Sequence, residues 1–347
     1  MSSPIKQRIY LDHAATSPLR PEAKLAMEEG FAIWANPSSP HAEGRKAKAA
    51  LEDARARVKA ALGWDGEVIF TSGASEAAAL ALSRANAGAS LVSAVEHDCI
   101  LGMAPDAERI PVGSNGALDK DILAEAVQRE KPLVCVQQVN SETGNVQNLA
   151  SIAKVVSDAG GLLLADCAQG AGKCPLPPCD MAIISAHKFG GPIGIGALLL
   201  RDFAMLEPVG GHERGYRRGT ENMPAALGMA AALEAPASQL NMLDLAPAIR
   251  EAGGIWLGDQ LAEPCNHIAS IGLPSMSATA QVMRLDMAGI AVSQGSACSS
   301  GTMKTSHVLK AMGMDDDAAS RFIRVSFGWN TARADLDALL EAWKGLA

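Results

Sequence analysis

The sequence predicts an α/β protein with a mostly parallel central sheet, helices on both faces of that sheet, and a smaller α+β module. Over the first two thirds of the chain, short apolar runs typical of buried strands alternate with segments of helical periodicity. Such alternation is typical of a parallel sheet covered by helices. The predicted strands are 68–70, 90–94, 133–139, 162–165, 181–185 and 196–200, and the predicted helices are 47–62, 77–85, 121–129 and 149–159.

The pattern changes after about residue 234. Pro236, Pro247 and Pro264 interrupt the chain, and helical periodicity returns over 276–288 and 334–344. We therefore expect a large domain over residues 12–235. Residues 1–11 and 236–347 are expected to form a small domain.

Composition excludes several classes of function. The length of 347 residues allows about two domains, and 48% of the residues are apolar. The 30 basic and 38 acidic side chains give a net charge of −8. No basic cluster predicts a nucleic-acid or membrane surface, and no secretory signal or run of 18 apolar residues is present. The seven scattered cysteines predict reduced thiols in a cytoplasm.

Three of these cysteines, Cys167, Cys174 and Cys179, lie close together in the sequence. They form no C-x-x-C motif, so small buried or loop thiols are favoured over a metal site. We expect no metal.

Asp166 and Lys188 follow two predicted strands and stand 22 residues apart. Ligands of such sheets bind beyond the carboxyl ends of the strands, so both side chains can face one bound ring. Pyridoxal phosphate requires this pair, because a lysine amine binds its aldehyde and a carboxylate keeps its ring nitrogen protonated. Taken alone, a surface lysine and a helix-capping aspartate are the more frequent explanation.

The turn at residues 72–75, between a predicted strand and a predicted helix, indicates an anion site. Free backbone N–H groups and the helix dipole favour a phosphate there, and Ser185, His187 and Thr220 are further candidate donors. Serines also cap helices with no ligand present. Neither G-x-x-x-x-G-K-[ST] nor a strand-following G-x-G-x-x-G occurs, which disfavours nucleotide triphosphates and dinucleotides.

Three further residues carry candidate chemistry. His97 follows a predicted strand, where an imidazole can stack on a ring, although a histidine packed at a loop edge is an equal alternative. Cys298 lies among small residues at 295–301, which favours a mobile nucleophile over a structural thiol. Arg324, in the strand-like run 323–328, can clamp a carboxylate, although an exposed strand arginine is more common.

Taken together, these motifs resemble the cysteine desulfurases of group I, within the class V aminotransferases of the fold-type I pyridoxal-phosphate enzymes. The resemblance covers nearly the whole chain. It rests on residues 10–16 (YLDHAAT), 36–39 (NPSS), 70–76 (FTSGASE), 142–144 (ETG), 166–169 (DCAQ), 187–188 (HK), 219–222 (GTEN) and 297–300 (ACSS).

The resemblance implies a homodimer that converts L-cysteine to L-alanine and leaves the sulfur as a persulfide on Cys298. An acceptor or scaffold protein would then receive the sulfur for iron–sulfur cluster assembly or thiolation. The catalytic residues would be Lys188, Cys298 and His97, with Lys188 also binding the cofactor. By the same resemblance, Asp166 pairs with the ring nitrogen of the cofactor, Gln169 with its phenolic oxygen and His97 with the face of its ring. The phosphate is bound by Ala74, Ser75, Ser185 and His187, together with Thr220 of the neighbouring subunit. Ser141 faces the cofactor, and Arg324 with Asn36 binds the substrate carboxylate.

Three departures from the family pattern stand out. Ser75 replaces a usual threonine and Ser141 a usual asparagine, and the chain ends soon after residue 344, which leaves the sulfur acceptor open. A selenocysteine lyase or an aminotransferase on the same fold is the nearest alternative, although a plain aminotransferase needs no loop thiol. The presence of Lys188, Asp166 and Cys298 disfavours a catalytically silent binding module.

Overall fold

The central sheet has seven strands in the computed structural model, which describes residues 8–295 and 305–346. One strand, β8, runs antiparallel to both of its neighbours, and the other pairs are parallel. The predicted mostly parallel sheet is thereby confirmed. In spatial order its strands are β2 (Glu67–Thr71), β8 (Gly196–Leu200), β7 (Met181–Ser185), β6 (Leu162–Asp166), β5 (Leu133–Gln137), β3 (Ser90–Ser93) and β4 (Glu108–Ile110).

Helices cover both faces of the sheet. Neighbouring strand residues alternate between two apolar cores: Ile183 packs with α3 and α4, whereas Ala182 and Ile184 pack on the side of the other helices. This part of the chain contains α1 (Pro21–Ile33), α2 (Ala42–Leu62), α3 (Ala74–Arg84), α4 (Asp98–Met103), α5 (Lys120–Ala126), α6 (Leu149–Asp158) and α7 (Met223–Glu234).

A smaller module follows α7. Its antiparallel sheet has the order β12 (Phe322–Ser326), β10 (Ile268–Gly272), β9 (Ile255–Trp256), and β1 (Ile9–Tyr10) pairs in parallel with β11 (Ile290–Ala291). Its helices are α8 (Ala246–Glu251), α9 (Ala278–Met287), α10 (His307–Ala311), α11 (Asp316–Ala319) and α12 (Arg333–Lys344).

This module has an apolar core of its own, drawn from Leu11 and from buried residues between Met242 and Trp343. Together with the β1–β11 pairing, that core supports the proposal that the N-terminal segment belongs to the small domain. The boundary near residue 235 stays a prediction.

The sequence patterns missed α7 and misplaced some element ends. Ten of the twelve residues of α7 are buried, so no polar face gives the helix a period. Its Gly228 lies against α1, where an added Cβ would be 2.7 Å from Met27 Cγ. The helix predicted from residue 77 begins at Ala74, because Gly73 at φ 151° ends the preceding turn.

A buried ion pair fastens α2 to the edge strand β2. The Arg55 guanidinium donates from Nη1 to Glu213 Oε2 at 2.7 Å and from Nη2 to Glu213 Oε1 at 3.1 Å. Glu213 Oε2 also accepts the N–H of Phe70 in β2 at 2.9 Å. Because both side chains are buried, each charge depends on the other for its solvation.

We expect Glu213→Ala to lower the free energy of unfolding by about 3 kcal/mol, since it leaves the buried Arg55 cation with only the partly exposed carboxylate of Glu52 as its anionic partner. The exposed pair of Arg57 with Glu234 is a matched control, and Glu234→Ala should cost less than about 1 kcal/mol. Urea unfolding followed by circular dichroism measures both. Equal effects of the two substitutions would contradict the assigned role of burial.

Candidate active site

The main cavity of the molecule, about 420 Å³ in volume, lies beyond the carboxyl ends of the parallel strands. Both polar and apolar side chains face it, as in sites that bind a small aromatic molecule. It is lined by residues 72–76, His97, Cys99, Gln137, Val139, Ser141, Asp166, Ala168, Gln169, Ser185, His187, Lys188, Ile193 and Gly194.

Asp166 and Lys188 both face this cavity, and the sheet accounts for their meeting. Asp166 is the last residue of β6, and Lys188 ends the short 3₁₀ turn 186–188 that follows β7 directly. Because β6 and β7 are parallel neighbours, both strands release their next residues at the same sheet edge.

The Lys188 amine is held by backbone carbonyls. Its Nζ donates to Ala14 O at 2.7 Å and to Ala15 O at 2.9 Å. Burial, followed by the nearby guanidinium of Arg324, lowers the pKa of Lys188 to about 8, although the Asp166 carboxylate opposes this shift. A substantial fraction of the amine is therefore neutral near pH 8.

The Asp166 carboxyl is buried and only partly satisfied by the protein. Its Oδ1 accepts the Ala168 N–H at 2.9 Å. Burial raises the pKa of Asp166, while the Ala168 N–H and the charges of His97 and Lys188 lower it. The second oxygen is left for a cationic group in the cavity.

A second carboxyl, that of Glu96, lies near Asp166 and is completely buried. Its Oε1 accepts the Gln137 N–H at 2.8 Å, and Oε2 has no hydrogen-bond partner in the part of the chain that the structure describes. Burial, and then the negative charge of Asp166, raise the pKa of Glu96 well above its usual range. Burial and the neighbouring carboxylate therefore both favour the protonated form of Glu96.

Donors for an anion gather at one end of the cavity. The α3 helix begins at Ala74, and its N-cap, Gly73, makes no side-chain cap hydrogen bond, so the first N–H groups are open to a ligand. Ser75, Ser185 and His187 line the same end. Burial, followed by the charge of Lys188, lowers the pKa of His187 to about 4, so its imidazole is neutral.

His97 and Cys99 form another part of the wall. The His97 Nδ1 accepts the Cys99 N–H at 3.1 Å as the cap of α4, which leaves Nε2 to carry the ring proton. Burial raises the pKa of the Cys99 thiol to about 12, so it stays protonated.

Gln169 and Ser141 form the floor of the cavity, and Arg324 supports Ser141 from behind. The Gln169 Nε2 donates to Ala14 O at 2.8 Å, while its buried Oε1 has no partner in the described chain. Arg324 does not line the cavity but lies directly below Ser141, to whose carbonyl its Nη1 donates at 2.9 Å. Its Nη2 pairs with Asp12 Oδ1 at 2.8 Å.

The structure does not bring every predicted residue into this cavity. Thr220 is exposed and lines a separate small pocket that shares only Gly194 with the main one. Asn36 is also exposed, and its Oδ1 accepts the Ser38 N–H at 2.9 Å. Cys298 lies outside the described residues.

Sequence reasoning missed Glu96, Cys99 and Asp12. Glu96 and Cys99 flank His97 in the stretch that follows β3, and Asp12 precedes the carbonyls that hold Lys188. A charged side chain between apolar runs was the available signal for Glu96. Nothing in the spacing indicates that Asp12 pairs with Arg324, which lies 312 residues away.

The described residues contain neither a membrane-spanning helix nor a cluster of metal-binding side chains. Residues 8–295 and 305–346 hold no helix that is both long and apolar enough to span a membrane. The same ranges contain no group of three or more His, Cys, Asp or Glu side chains placed to hold a metal ion.

Comparison with known structures finds the same fold over almost the whole chain. A NifS-like protein from Rickettsia africae is 28% identical, covers 98% of this chain and 99% of its own, and has a TM-score of 0.85. SspA, solved in complex with cysteine, is 28% identical and covers 92% of this chain and 98% of its own, with a TM-score of 0.80.

Comparison with known sequences identifies the family. The model of the class V aminotransferases matches residues 9–339. The cysteine desulfurase of Cereibacter sphaeroides is 37% identical over 96% of this chain and 94% of its own length. The cysteine desulfurase IscS of Dictyoglomus turgidum is 30% identical over 97% and 94%. The chain therefore belongs to the class V aminotransferases and, within them, to the cysteine desulfurase family.

Proposed function

We propose that this chain is a pyridoxal-phosphate-dependent cysteine desulfurase. It converts L-cysteine to L-alanine and keeps the sulfur as a persulfide on Cys298 for an acceptor protein, in iron–sulfur cluster assembly or thiolation. The observation that carries the proposal is one cavity that joins a low-pKa lysine, a buried carboxylate, an imidazole and a set of anion donors. The named relatives favour this activity over a selenocysteine lyase or an aminotransferase.

The residues of the cavity fit pyridoxal phosphate. The open N-terminus of α3, with Ser75, Ser185 and His187, suits the phosphate, and Asp166 has an oxygen free for the ring nitrogen. Gln169 lines the same cavity, and its amide NH2 group is the donor available to a phenolic oxygen. When bound, the cofactor supplies an electron sink for negative charge at the substrate carbon.

Lys188 is suited to move protons in this site. Its lowered pKa makes the neutral amine available near pH 8, and the carbonyls of Ala14 and Ala15 keep Nζ at the cavity wall. We propose that the Lys188 amine removes the substrate Cα proton. The raised pKa of Glu96 disfavours a second negative charge beside Asp166.

Arg324 supports recognition of an amino-acid carboxylate. The guanidinium is 2% exposed, and its Nε has no hydrogen-bond partner in the described chain. A carboxylate arriving at the floor of the cavity would satisfy this donor and compete with Asp12 for the cation. Asn36 stays a predicted second contact.

Cys298 would complete the reaction as the nucleophile. Its thiolate attacks the sulfur of bound cysteine, so a sulfur–sulfur bond forms as the bond between Cβ and sulfur breaks. The electron pair of the broken bond stays with the carbon, and a proton then completes alanine.

We also infer a homodimer in the cytoplasm. The six cysteines within the described ranges are all free thiols, as is usual in a reducing compartment. Thr220 is exposed, and Arg217 nearby pairs with Glu76 of the cavity wall at 2.9 Å. The Arg217–Glu76 pair supports the proposal that Thr220 of one subunit reaches the phosphate end of the other.

Replacement of Cys298 by alanine should preserve cofactor absorbance and abolish sulfide release, because only the sulfur-accepting thiol is lost. Mass spectrometry after incubation with L-cysteine should locate a persulfide on Cys298 in the wild type. Cys174→Ser, which removes a thiol outside the cavity, is the control and should keep both signals. Full activity of the Cys298→Ala protein would disprove the assignment.

Lys188→Met should raise the free energy of unfolding of the cofactor-free protein at pH 7, by roughly 1–3 kcal/mol. Below pH 8 the folded wild type holds an ammonium that it solvates poorly. As the pH rises from about 8 toward the ordinary lysine value, the folded state loses this proton first. The stability difference between variant and wild type should therefore shrink.

Urea unfolding between pH 7 and pH 10 measures this difference. Lys48→Met, at an exposed position on α2, is the control and should match the wild type throughout. A difference between Lys188→Met and wild type that does not change with pH would contradict the lowered pKa. In the loaded protein, borohydride should attach the cofactor covalently in the wild type and not in Lys188→Met.

A further inference from the structure

A second, smaller cavity lies behind the active-site wall. Its volume is about 40 Å³, and its lining includes Ser17, Arg20, Lys173, Phe189, His267 and Trp329. Gln169 separates it from the main cavity: the Gln169 side chain lines the larger space, and its backbone carbonyl accepts from Lys173 Nζ at 3.3 Å. The proposed desulfurase chemistry uses none of these six residues.

Two cationic side chains line this space, and neither has an anionic partner there. The Arg20 guanidinium is 5% exposed and donates Nε to Phe189 O and Nη1 to Pro236 O, both at 3.0 Å. Its Nη2 makes no hydrogen bond to any residue that the structure describes. Among the described residues, Lys173 makes only the long contact with the Gln169 carbonyl, and no carboxylate of residues 8–295 or 305–346 lines the cavity.

The surroundings add positive charge. Burial, followed by the charge of Lys188, lowers the pKa of Lys173 to about 8, and Arg324 acts in the same direction. Lys173 therefore remains mostly protonated at pH 7. The acid that influences Arg20 is Glu22, which is exposed and outweighed by the desolvation of Arg20.

The nearby histidines add no charge to this cavity. Burial and the charge of Lys173 lower the pKa of His267 to about 3 and that of His13 to about 4, so both are neutral. His267 Nε2 donates to the same Gln169 carbonyl that Lys173 contacts, at 3.1 Å. Gln169 O is thus shared between two donors, which weakens its hold on the ammonium.

We propose that the cavity between Lys173 and Arg20 binds one small monovalent anion of halide size, with chloride as the abundant candidate. Charged side chains buried in proteins are normally paired, because an isolated charge is poorly solvated there. A water needs roughly 10–15 Å³ of such volume, so about 40 Å³ admits a halide with one or two waters. The Arg20 Nη2 and the Lys173 ammonium are the available donors, because the Ser17 hydroxyl already shares a 2.6 Å hydrogen bond with His13 Nδ1.

Such an anion would act on the active site through charge. Lys188 and Lys173 repel each other, and a negative ion beside Lys173 offsets its share of that repulsion. The occupied cavity would therefore hold Lys188 more readily in its protonated form. The inference does not depend on which reaction the main cavity performs.

Crystals of the intact protein soaked in sodium bromide test the site, because bromide gives an anomalous diffraction signal. A bromide peak in contact with Lys173 Nζ and Arg20 Nη2 is expected in the wild type and in the exposed control Lys48→Met. The peak should be lost in Lys173→Met. An empty cavity in the wild type, or an unchanged peak in Lys173→Met, would overturn the proposal.

Thermal unfolding in solution gives a readout that needs no variant. At equal ionic strength, sodium chloride should raise the midpoint of the wild type above its value in sodium gluconate, whose anion is too large for the cavity. The midpoint should rise further with chloride concentration and level off. Equal midpoints in the two salts over the whole range would refute a chloride site, whether or not the enzyme desulfurates cysteine.

Discussion

The parallel pairing of β6 with β7 is the constraint on which the site depends. It releases Asp166 and the turn carrying Lys188 at one sheet edge, so that a carboxylate and an ammonium share a water-poor cavity. Mutual attraction of these charges offsets part of the cost of burying them. The carbonyls of Ala14 and Ala15 meet the remaining need of the amine, and this ties the N-terminal segment to the centre of the sheet.

Much of the fold and part of the site could be predicted from local sequence. The buried strands are short apolar runs bounded by polar turns, and the residues just after them, Asp166, His97 and Lys188, all reach the cavity. Those predictions need only residues that are close to each other in the sequence. The predicted roles of these residues, and that of Cys298 outside the described ranges, remain predictions.

The rest depends on distant contacts that no local pattern encodes. The pairing of Asp12 with Arg324 joins the two ends of the chain, and the raised pKa of Glu96 follows from complete burial beside another carboxyl. Helix α7 escaped prediction for a related reason, since a helix buried on all sides has no amphipathic period. The resemblance to the cysteine desulfurases supplied the residues expected to contact the cofactor. The pattern of apolar and polar residues alone allowed both a structural and a functional role for these residues.

The one reversed strand, β8, has a consequence for how the turn proposed to bind phosphate comes to lie beside the lysine. Thr71 at the end of β2 and Ser185 at the end of β7 both pair with Gly196 of β8, so the two strands finish level with each other. A side chain at Gly196 would lie 2.7 Å from Gly73 Cα and would push the turn outward. An evolutionary exchange at this single glycine would thus displace one wall of the cavity, although Gly196 itself does not line it.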